Sequence, residues 1–213
     1  MAQVVPLKKR KLTPTQADSR EELVEIAIDL FATRGYAGTS IRDIAEAVGR
    51  SVSNIYHYFE NKEALWFAIY ERSVKTLPGQ LRASLEGLTD PRERFAALVR
   101  QHLEVTEFRR REARIFFIDE ERLSPAGNRI HRRMQREILG IYLAELENLE
   151  THGLIDVADL KVAALNTLGV ISWYLRWSKP GVGAAKRRRT IDELVTYILR
   201  GLGCDVGTRS PAS

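Results

Sequence analysis

The chain has 213 residues, of which 44% are hydrophobic and 29% are charged, so it can bury the core of one large domain or of two smaller ones. Its single cysteine, Cys204, excludes an intramolecular disulfide and a thiolate metal site, and four scattered histidines offer no metal cage, so we expect neither a metal nor a cofactor. The formal net charge is +5, yet residues 1–77 hold 11 Lys or Arg against 10 Asp or Glu. Any nucleic-acid contact must therefore depend on individual residues at particular positions rather than on the overall charge.

Helical periodicity runs along most of the chain, whereas alternating Val, Ile and Thr runs and Asn-Gly or Asp-Gly turns are nearly absent. The sequence therefore predicts an all-α fold of about nine helices. The first helix is predicted from Ser19, which forms a capping box with Glu22, to Gly35, a typical helix stop.

A helix-turn-helix is predicted over residues 40–59. Its first helix begins at an N-cap on Thr39 or Ser40, and Gly49 ends it. Its second helix begins at about Arg50 and is expected to carry Ile55 and Phe59 inward. Two short helices joined by a tight turn with a glycine are typical of a DNA-binding motif.

The fourth helix is predicted from an N-cap at Asn61, past a bend at Pro78, to about Gly87. Five further helices are predicted from apolar periodicity. Their starting signals are, in chain order, Pro91, the segment around Ile115, Ser124 with Pro125, Asp156 with Asp159, and Thr190 with Glu193. The basic run "KRRR" at residues 186–189 is therefore expected in the loop before the last helix.

The stretch "SIRDIAEAVGRSVSNIYHYF" at residues 40–59, followed by "ENKEALW", resembles the DNA-binding domain of the TetR family of transcriptional regulators. That family shows a pattern close to T-hydrophobic-R-x-I-A-x-x-A-G, then a short helix ending in L-Y-x-H/Y-F, then x-x-K-E-x-L. The resemblance implies an N-terminal helix-turn-helix domain of three helices and a C-terminal helical domain for ligand binding and dimerisation. The implied divisions are a flexible basic arm over residues 1–16, the DNA-binding domain over 17–77, the C-terminal domain over 78–204 and a tail over 205–213.

The resemblance also implies which residues contact DNA. A helix in the major groove offers small, polar side chains to base edges, as Ser51, Ser53 and Asn54 do here, and Asn54 is suited to bind adenine through two hydrogen bonds. Arg50 stands where the family usually has an apolar residue, so it either faces DNA or marks a remodelled turn. The expected DNA-binding residues are Thr39, Ser40, Arg42, Ser51, Ser53, Asn54, Tyr56, His57, Tyr58 and Lys62.

The leader "KKRK" at residues 8–11 allows two interpretations. It is a flexible arm that reaches the minor groove or phosphates, or a solubilising tail without a partner.

Two segments of the C-terminal half, "FFIDEERL" at residues 116–123 and "RWSKPG" at 176–181, resemble TetR regulators of steroid and fatty-acid catabolism, which sense coenzyme A thioesters. An Arg-Trp pair associated with the ligand there corresponds to Arg176 and Trp177. Arg176 is therefore either a ligand arginine inside the domain or a cation that stabilises the end of its helix. The residues expected to bind the ligand are Arg176, Trp177, Trp173, Phe116, Phe117 and His102.

Residues 109–136 contain nine arginines against four acidic residues, which suits the phosphates of coenzyme A or, alternatively, solvated helix faces. The expected function is a repressor that binds a palindromic DNA operator as a homodimer through its last two helices. An acyl-CoA or a related lipid or steroid catabolite would release it by a shift in population between two domain arrangements, with the fourth helix as the lever. One alternative is a TetR-type sensor of lipophilic drugs that controls an efflux gene.

A helical enzyme is the alternative from another class, but no nucleophile motif, metal spacing or glycine-rich phosphate loop supports it, so we expect no catalytic site. No run of 18 apolar residues offers a membrane span, and we identify no signal peptide. We therefore expect a cytoplasmic protein without membrane contact.

Overall fold

The computed structural model describes residues 14–118, 123–179 and 181–204, and this part of the chain forms ten α-helices and no β-strand. The all-α prediction is confirmed. The helices are α1 Pro14–Arg34, α2 Ile41–Ala47, α3 Val52–Tyr58, α4 Lys62–Ser73, α5 Leu77–Ala83, α6 Pro91–Phe108, α7 Arg110–Ile118, α8 Pro125–Thr151, α9 Leu160–Trp177 and α10 Ala184–Gly201. None of these helices is both long and apolar enough to cross a membrane.

Helix N-caps follow the local chemistry of the sequence. The Ser40 hydroxyl accepts a hydrogen bond from the Asp43 amide at 3.1 Å, and Asp43 completes the capping box by accepting from the Ser40 amide. Asn61, Ser124 and Asp159 cap α4, α8 and α9 in the same way, each through a side-chain oxygen. These side chains satisfy backbone N–H groups that have no partner within the helix.

Three predicted helix boundaries are wrong. Helix α1 begins at Pro14, so Ser19 lies inside it and caps nothing. Proline suits the first turn of a helix because it lacks the N–H that would be unpaired there. The predicted fourth helix is two helices, α4 and α5, with Pro78 in the first turn of α5. This division accounts for the tenth helix.

The last helix also begins earlier than predicted. Helix α10 starts at Ala184, with Gly183 as the N-cap, so residues 186–189 are helical rather than a loop. Thr190 does not cap the helix, because its hydroxyl donates to the carbonyl of Lys186 one turn before it, at 3.0 Å. Alanine, lysine and arginine are good helix formers, so this basic run extends the helix.

Two packing groups position the functional surfaces. Helix α1 packs against α2, α4 and α7, and α6 packs against α5, α7, α8, α9 and α10. Helix α7 contacts α1 from the first group and α6 and α9 from the second. This nine-residue helix therefore links the helix-turn-helix end of the molecule to α9.

Candidate functional site

Helix α3 is held by two buried side chains and leaves its opposite face open. Ile55 and Phe59 are buried in the core, which fixes the rotation of this seven-residue helix. The Ser51 hydroxyl caps the helix by accepting from the Asn54 amide at 3.2 Å. Ser53 is exposed at the N-terminal end of the helix, where recognition helices meet base edges.

The polar side chains of α3 lie on or beside its open face. Tyr56 is 53% exposed and His57 is exposed, while Tyr58 is half-buried and packs edge to face against His57 at 5.0 Å. Asn54 is half-buried, and its amide oxygen has no hydrogen-bond partner among the described residues. A buried, unpaired amide oxygen is unfavourable in the free protein, so this side chain loses no intramolecular hydrogen bond through its oxygen when it turns outward to an external donor.

Helix α2 adds an exposed cation beside α3. Arg42 is exposed in the first turn of α2, and Ser40 is exposed at its cap. The hydrogen bonds from the Ser40 hydroxyl and backbone amide lower the pKa of the Asp43 carboxyl. Asp43 is therefore ionised at neutral pH, and its charge favours the positive N-terminal end of α2.

Two of the expected DNA-binding side chains turn inward. Thr39 is 1% exposed, and its hydroxyl donates to the carbonyl of Gly35 at 2.9 Å. Lys62 donates to the carbonyls of Tyr36 and Thr39 at 2.7 and 2.9 Å and lies over the Tyr36 ring. Both side chains hold the loop after α1. A phosphate contact by Lys62 would compete with its hydrogen bonds to these two carbonyls, and the buried Thr39 side chain cannot reach DNA.

Arg50 is bound within the protein. Its guanidinium pairs with Glu22 of α1 at 2.5 Å, and its side chain is 28% exposed. The turn between α2 and α3 is thus tied to α1, and Gly49 adopts a positive φ of 66° in that turn. Glycine meets this requirement without the strain that another residue would carry.

The expected ligand residues lie in different surroundings. His102 is 3% exposed, and its Nδ1 lies 3.0 Å from the Tyr142 hydroxyl in the core. Trp173, Arg176 and Trp177 are exposed on α9, with the Arg176 guanidinium 5.3 Å from the centre of the Trp173 ring. The side chains of Phe116 and Phe117 lie outside the described part of the structure.

Helix α9 is capped at its end by a residue that the sequence did not single out. Arg110, not Arg176, donates to the carbonyls of Leu175 and Ser178, at 3.2 and 2.7 Å. Arg176 makes no hydrogen bond to a carbonyl of the described residues, and its side chain is exposed. The only hint in the sequence was three consecutive arginines, which cannot all share one face of a helix.

A groove of about 700 Å³ opens between α5, the start of α6 and α8. Three arginines line it, namely Arg82, Arg94 and Arg136. Arg94 is already paired with the buried Glu145 through two hydrogen bonds, at 2.6 and 2.9 Å, and Arg82 pairs with Glu137 at 2.9 Å. None of the expected ligand residues whose side chains the structure describes, His102, Trp173, Arg176 and Trp177, lines this groove.

An apolar stripe is exposed along α9 and α10. Its members are Val162, Leu165, Trp173 and Trp177 on α9, each at least 50% exposed, and Tyr197 on α10 at 67%. On α9 these residues recur at helical spacing, so they form one face. Monomeric proteins rarely expose large apolar patches, so this stripe is a candidate interaction surface.

Two family models match the chain. Residues 23–69 match "Bacterial regulatory proteins, tetR family", and residues 88–202 match "Tetracyclin repressor-like, C-terminal domain". The chain is 28% identical over 199 residues to the HTH-type transcriptional repressor KstR2 of Mycolicibacterium smegmatis, covering 89% of this chain and 94% of that protein.

Solved structures share the fold. The ketosteroid transcriptional regulator KstR2 of Mycobacterium tuberculosis matches with a TM-score of 0.78 at 22% identity, over 86% of this chain and 94% of that chain. The regulator AibR, solved in complex with isovaleryl coenzyme A and operator DNA, matches with a TM-score of 0.72 at 24% identity, over 86% and 97% of the two chains. At these identities the likeness concerns the fold alone.

Proposed function

Because the chain belongs to the TetR family of bacterial transcriptional regulators, we propose that it is a repressor that holds a palindromic operator with two copies of α3. The observation that carries this proposal is the open polar face of α3 above the buried anchors Ile55 and Phe59. A regulator of this kind acts in the cytoplasm, where bacterial DNA lies.

The base contacts are proposed for the N-terminal end of α3. Asn54, with an amide oxygen that lacks a partner among the described residues, is suited to accept from adenine N6 and donate to N7. Ser53 lies beside it, while Arg42, Tyr56 and His57 are placed around the same helix to bind phosphates. Phosphate contacts set the register, and Asn54 supplies the specificity.

We assign the apolar stripe of α9 and α10 to a homodimer. A second copy of the chain offers the same stripe, so a two-fold interface covers both at once. Dimerisation also places two α3 helices on half-sites about 34–36 Å apart, which is one turn of DNA. Leu165→Lys should give a monomer in analytical ultracentrifugation, whereas Thr151→Lys, which adds the same charge to an exposed site on α8, should remain dimeric. A dimeric Leu165→Lys protein would refute this interface.

The proposed inducer is an acyl-CoA or a related lipid or steroid catabolite. The likeness to KstR2 over most of both chains supports a catabolic regulator, and AibR illustrates that this fold can bind a CoA thioester and operator DNA together. Within this chain, the Arg176 guanidinium stacks on Trp173, and no carboxylate of the described residues pairs with it. It is therefore available to an anionic ligand. Because Trp173 belongs to the apolar stripe and Arg176 lies over its ring, we place the ligand beside the dimer interface.

The proposed mechanism is a shift in population. Ligand favours a dimer in which the two α3 helices no longer match successive major grooves, with α4 as the lever between the two ends of each chain. Coupling of this kind is typically about 1–3 kcal/mol, or about 5- to 150-fold in operator affinity.

A thermal-shift comparison of acyl-CoAs with lipophilic cations tests the ligand class. At 100 times its dissociation constant a ligand stabilises the folded state by about 2.7 kcal/mol, which raises the melting temperature of a chain of this size by about 5–10 °C. We expect this shift with an acyl-CoA. Arg176→Ala should abolish it, whereas Arg188→Ala, at an exposed position of α10, should not. A shift with cations alone would favour the drug sensor, and a full shift in Arg176→Ala would remove that arginine from the site.

A further inference from the structure

Three consecutive arginines at the junction of α6 and α7 bind three different helices. Arg109 donates to the carbonyl of Arg72 at the end of α4, at 3.0 Å. Arg110 binds the end of α9, and Arg111 donates to Asp29 of α1 at 2.6 Å. Neighbouring residues on a helix point about 100° apart, so one short sequence reaches in three directions. We call Arg109, Arg110 and Arg111 the arginine joint.

The contact of the arginine joint with α9 is more buried than its contact with α1. The Arg110 side chain is 15% exposed, and it pairs at 2.5 Å with Glu107, which is 8% exposed. Arg110 also donates to the Ser178 hydroxyl, which in turn donates to the carbonyl of Tyr174 in the last turn of α9. A planar guanidinium that binds several oxygens holds their relative positions, which a single ammonium cannot do. The last turn of α9 is therefore fixed relative to the first turn of α7.

On the opposite side, the joint is tied to the DNA-binding helices. Arg111 binds Glu25 of α1 at 3.1 Å as well as Asp29. Arg72 of α4 pairs with Glu25 at 2.8 Å and with Glu112, the residue after the joint, at 3.7 Å. Any displacement of α7 must therefore move or break contacts with both α1 and α4.

We propose that the arginine joint couples the end of α9 to the DNA-binding helices, with Arg110 as the positioning residue. Helix α7 is a rigid element of nine residues, about 13 Å long, that contacts both α1 and α9. A ligand that displaces the last turn of α9, which carries Arg176 and Trp177, draws Arg110 and α7 with it. That movement reaches α1 and α4 through Arg111 and Arg109. The proposal rests on the proposed function, because it describes how the same regulator responds.

Coupling between two binding sites is reciprocal, so operator DNA can test the joint without a known inducer. The protein first selects its operator from a random duplex library. Hydrogen exchange is then measured at residues 174–178 with and without saturating operator. The Ser178 amide, bonded to the carbonyl of Tyr174 at 3.0 Å, reports on the last turn of α9. We expect operator to change exchange there by at least about fivefold, the lower limit of typical coupling.

Arg110→Gln should reduce this effect to less than about twofold while the protein still binds the operator, since the hydrogen bonds of Arg110 go to Glu107 and the end of α9, not to α3. Arg114→Gln is the matched control, because Arg114 is exposed on the same helix and makes no hydrogen bond with the described residues. Arg111→Gln removes the ion pairs of the arginine joint with Glu25 and Asp29 of α1. The Arg111 side chain is 50% exposed, so this substitution leaves the core intact and decides the test if Arg110→Gln does not fold.

The two proposals fail in different ways. A wild-type protein that selects no DNA overturns the proposed function and the joint with it. If the protein selects an operator but the operator leaves hydrogen exchange at residues 174–178 unchanged, only the proposal for the arginine joint is overturned. The same conclusion follows if Arg111→Gln, and Arg110→Gln where it folds, transmit the full effect.

Discussion

Lowering the pH should destabilise the protein through His102. Burial lowers the pKa of this imidazole to about 4, from an ordinary value of 6.5. Between these values the unfolded chain binds a proton that the folded chain does not. The stabilising contribution is therefore complete above pH 6.5 and is lost as the pH falls towards 4. Each pH unit in this window changes the free energy of unfolding by about 1.4 kcal/mol, so lowering the pH from 7 to 5 should reduce this free energy by about 2 kcal/mol.

Urea unfolding at pH 7 and pH 5, at equal ionic strength and protein concentration, measures this loss. His102→Gln is the control, because glutamine can still pair with the Tyr142 hydroxyl but does not titrate. Burial raises the pKa of Tyr142, so this phenol stays neutral at both pH values. The wild type should lose about 2 kcal/mol more than the variant between pH 7 and pH 5. An equal loss in the two proteins would refute the reasoning and would place His102 where solvent reaches it, as in a hydrated ligand pocket.

Three substitutions test other contacts by their effect on stability. Gly38→Ala should lower the melting temperature by about 3–10 °C, because the added Cβ would lie 2.3 Å from the carbonyl oxygen of Arg34. Gly79→Ala lies in a helix at a position where the added Cβ would have no neighbour within 4 Å, so it should instead stabilise the protein by up to about 1 kcal/mol. Equal effects of the two substitutions would contradict the steric argument. Glu145→Gln should cost about 2–3 kcal/mol in urea unfolding, because Arg94 loses a buried carboxylate; a loss below about 0.5 kcal/mol would show that solvent already screens this pair.

The sequence predicted what local chemistry determines. The caps at Asn61 and Ser124, and the cap at Thr39 or Ser40 that the structure places on Ser40, were found because each capping side chain bonds an amide only three residues away. The inward positions of Ile55 and Phe59 followed from helical periodicity. Local signals of these two kinds are sufficient to place the helix-turn-helix in the chain.

Contacts between distant residues could not be predicted in this way. Arg109 and Arg72 are 37 residues apart, and Arg111 and Asp29 are 82 apart, so nothing in the local pattern separates these arginines from a phosphate-binding cluster. The same limit applies to Thr39 and Lys62. The resemblance to the family predicts that they contact DNA, whereas their hydrogen bonds hold the loop after α1. Polar residues have many possible partners, and only the fold selects among them.

The central claim is that α3 reads a two-fold symmetric operator, and the operator affinity of Asn54→Ala tests it most directly. Each lost pair of base hydrogen bonds costs about 1–3 kcal/mol, and a dimer loses two, so affinity should fall at least about 30-fold. The salt dependence of binding should not change, because no charge is removed. Gln80→Ala, which removes an exposed amide from α5, should bind like the wild type. A loss below about threefold for Asn54→Ala, or an equal loss for Gln80→Ala, would contradict the assignment of α3 as the reading helix.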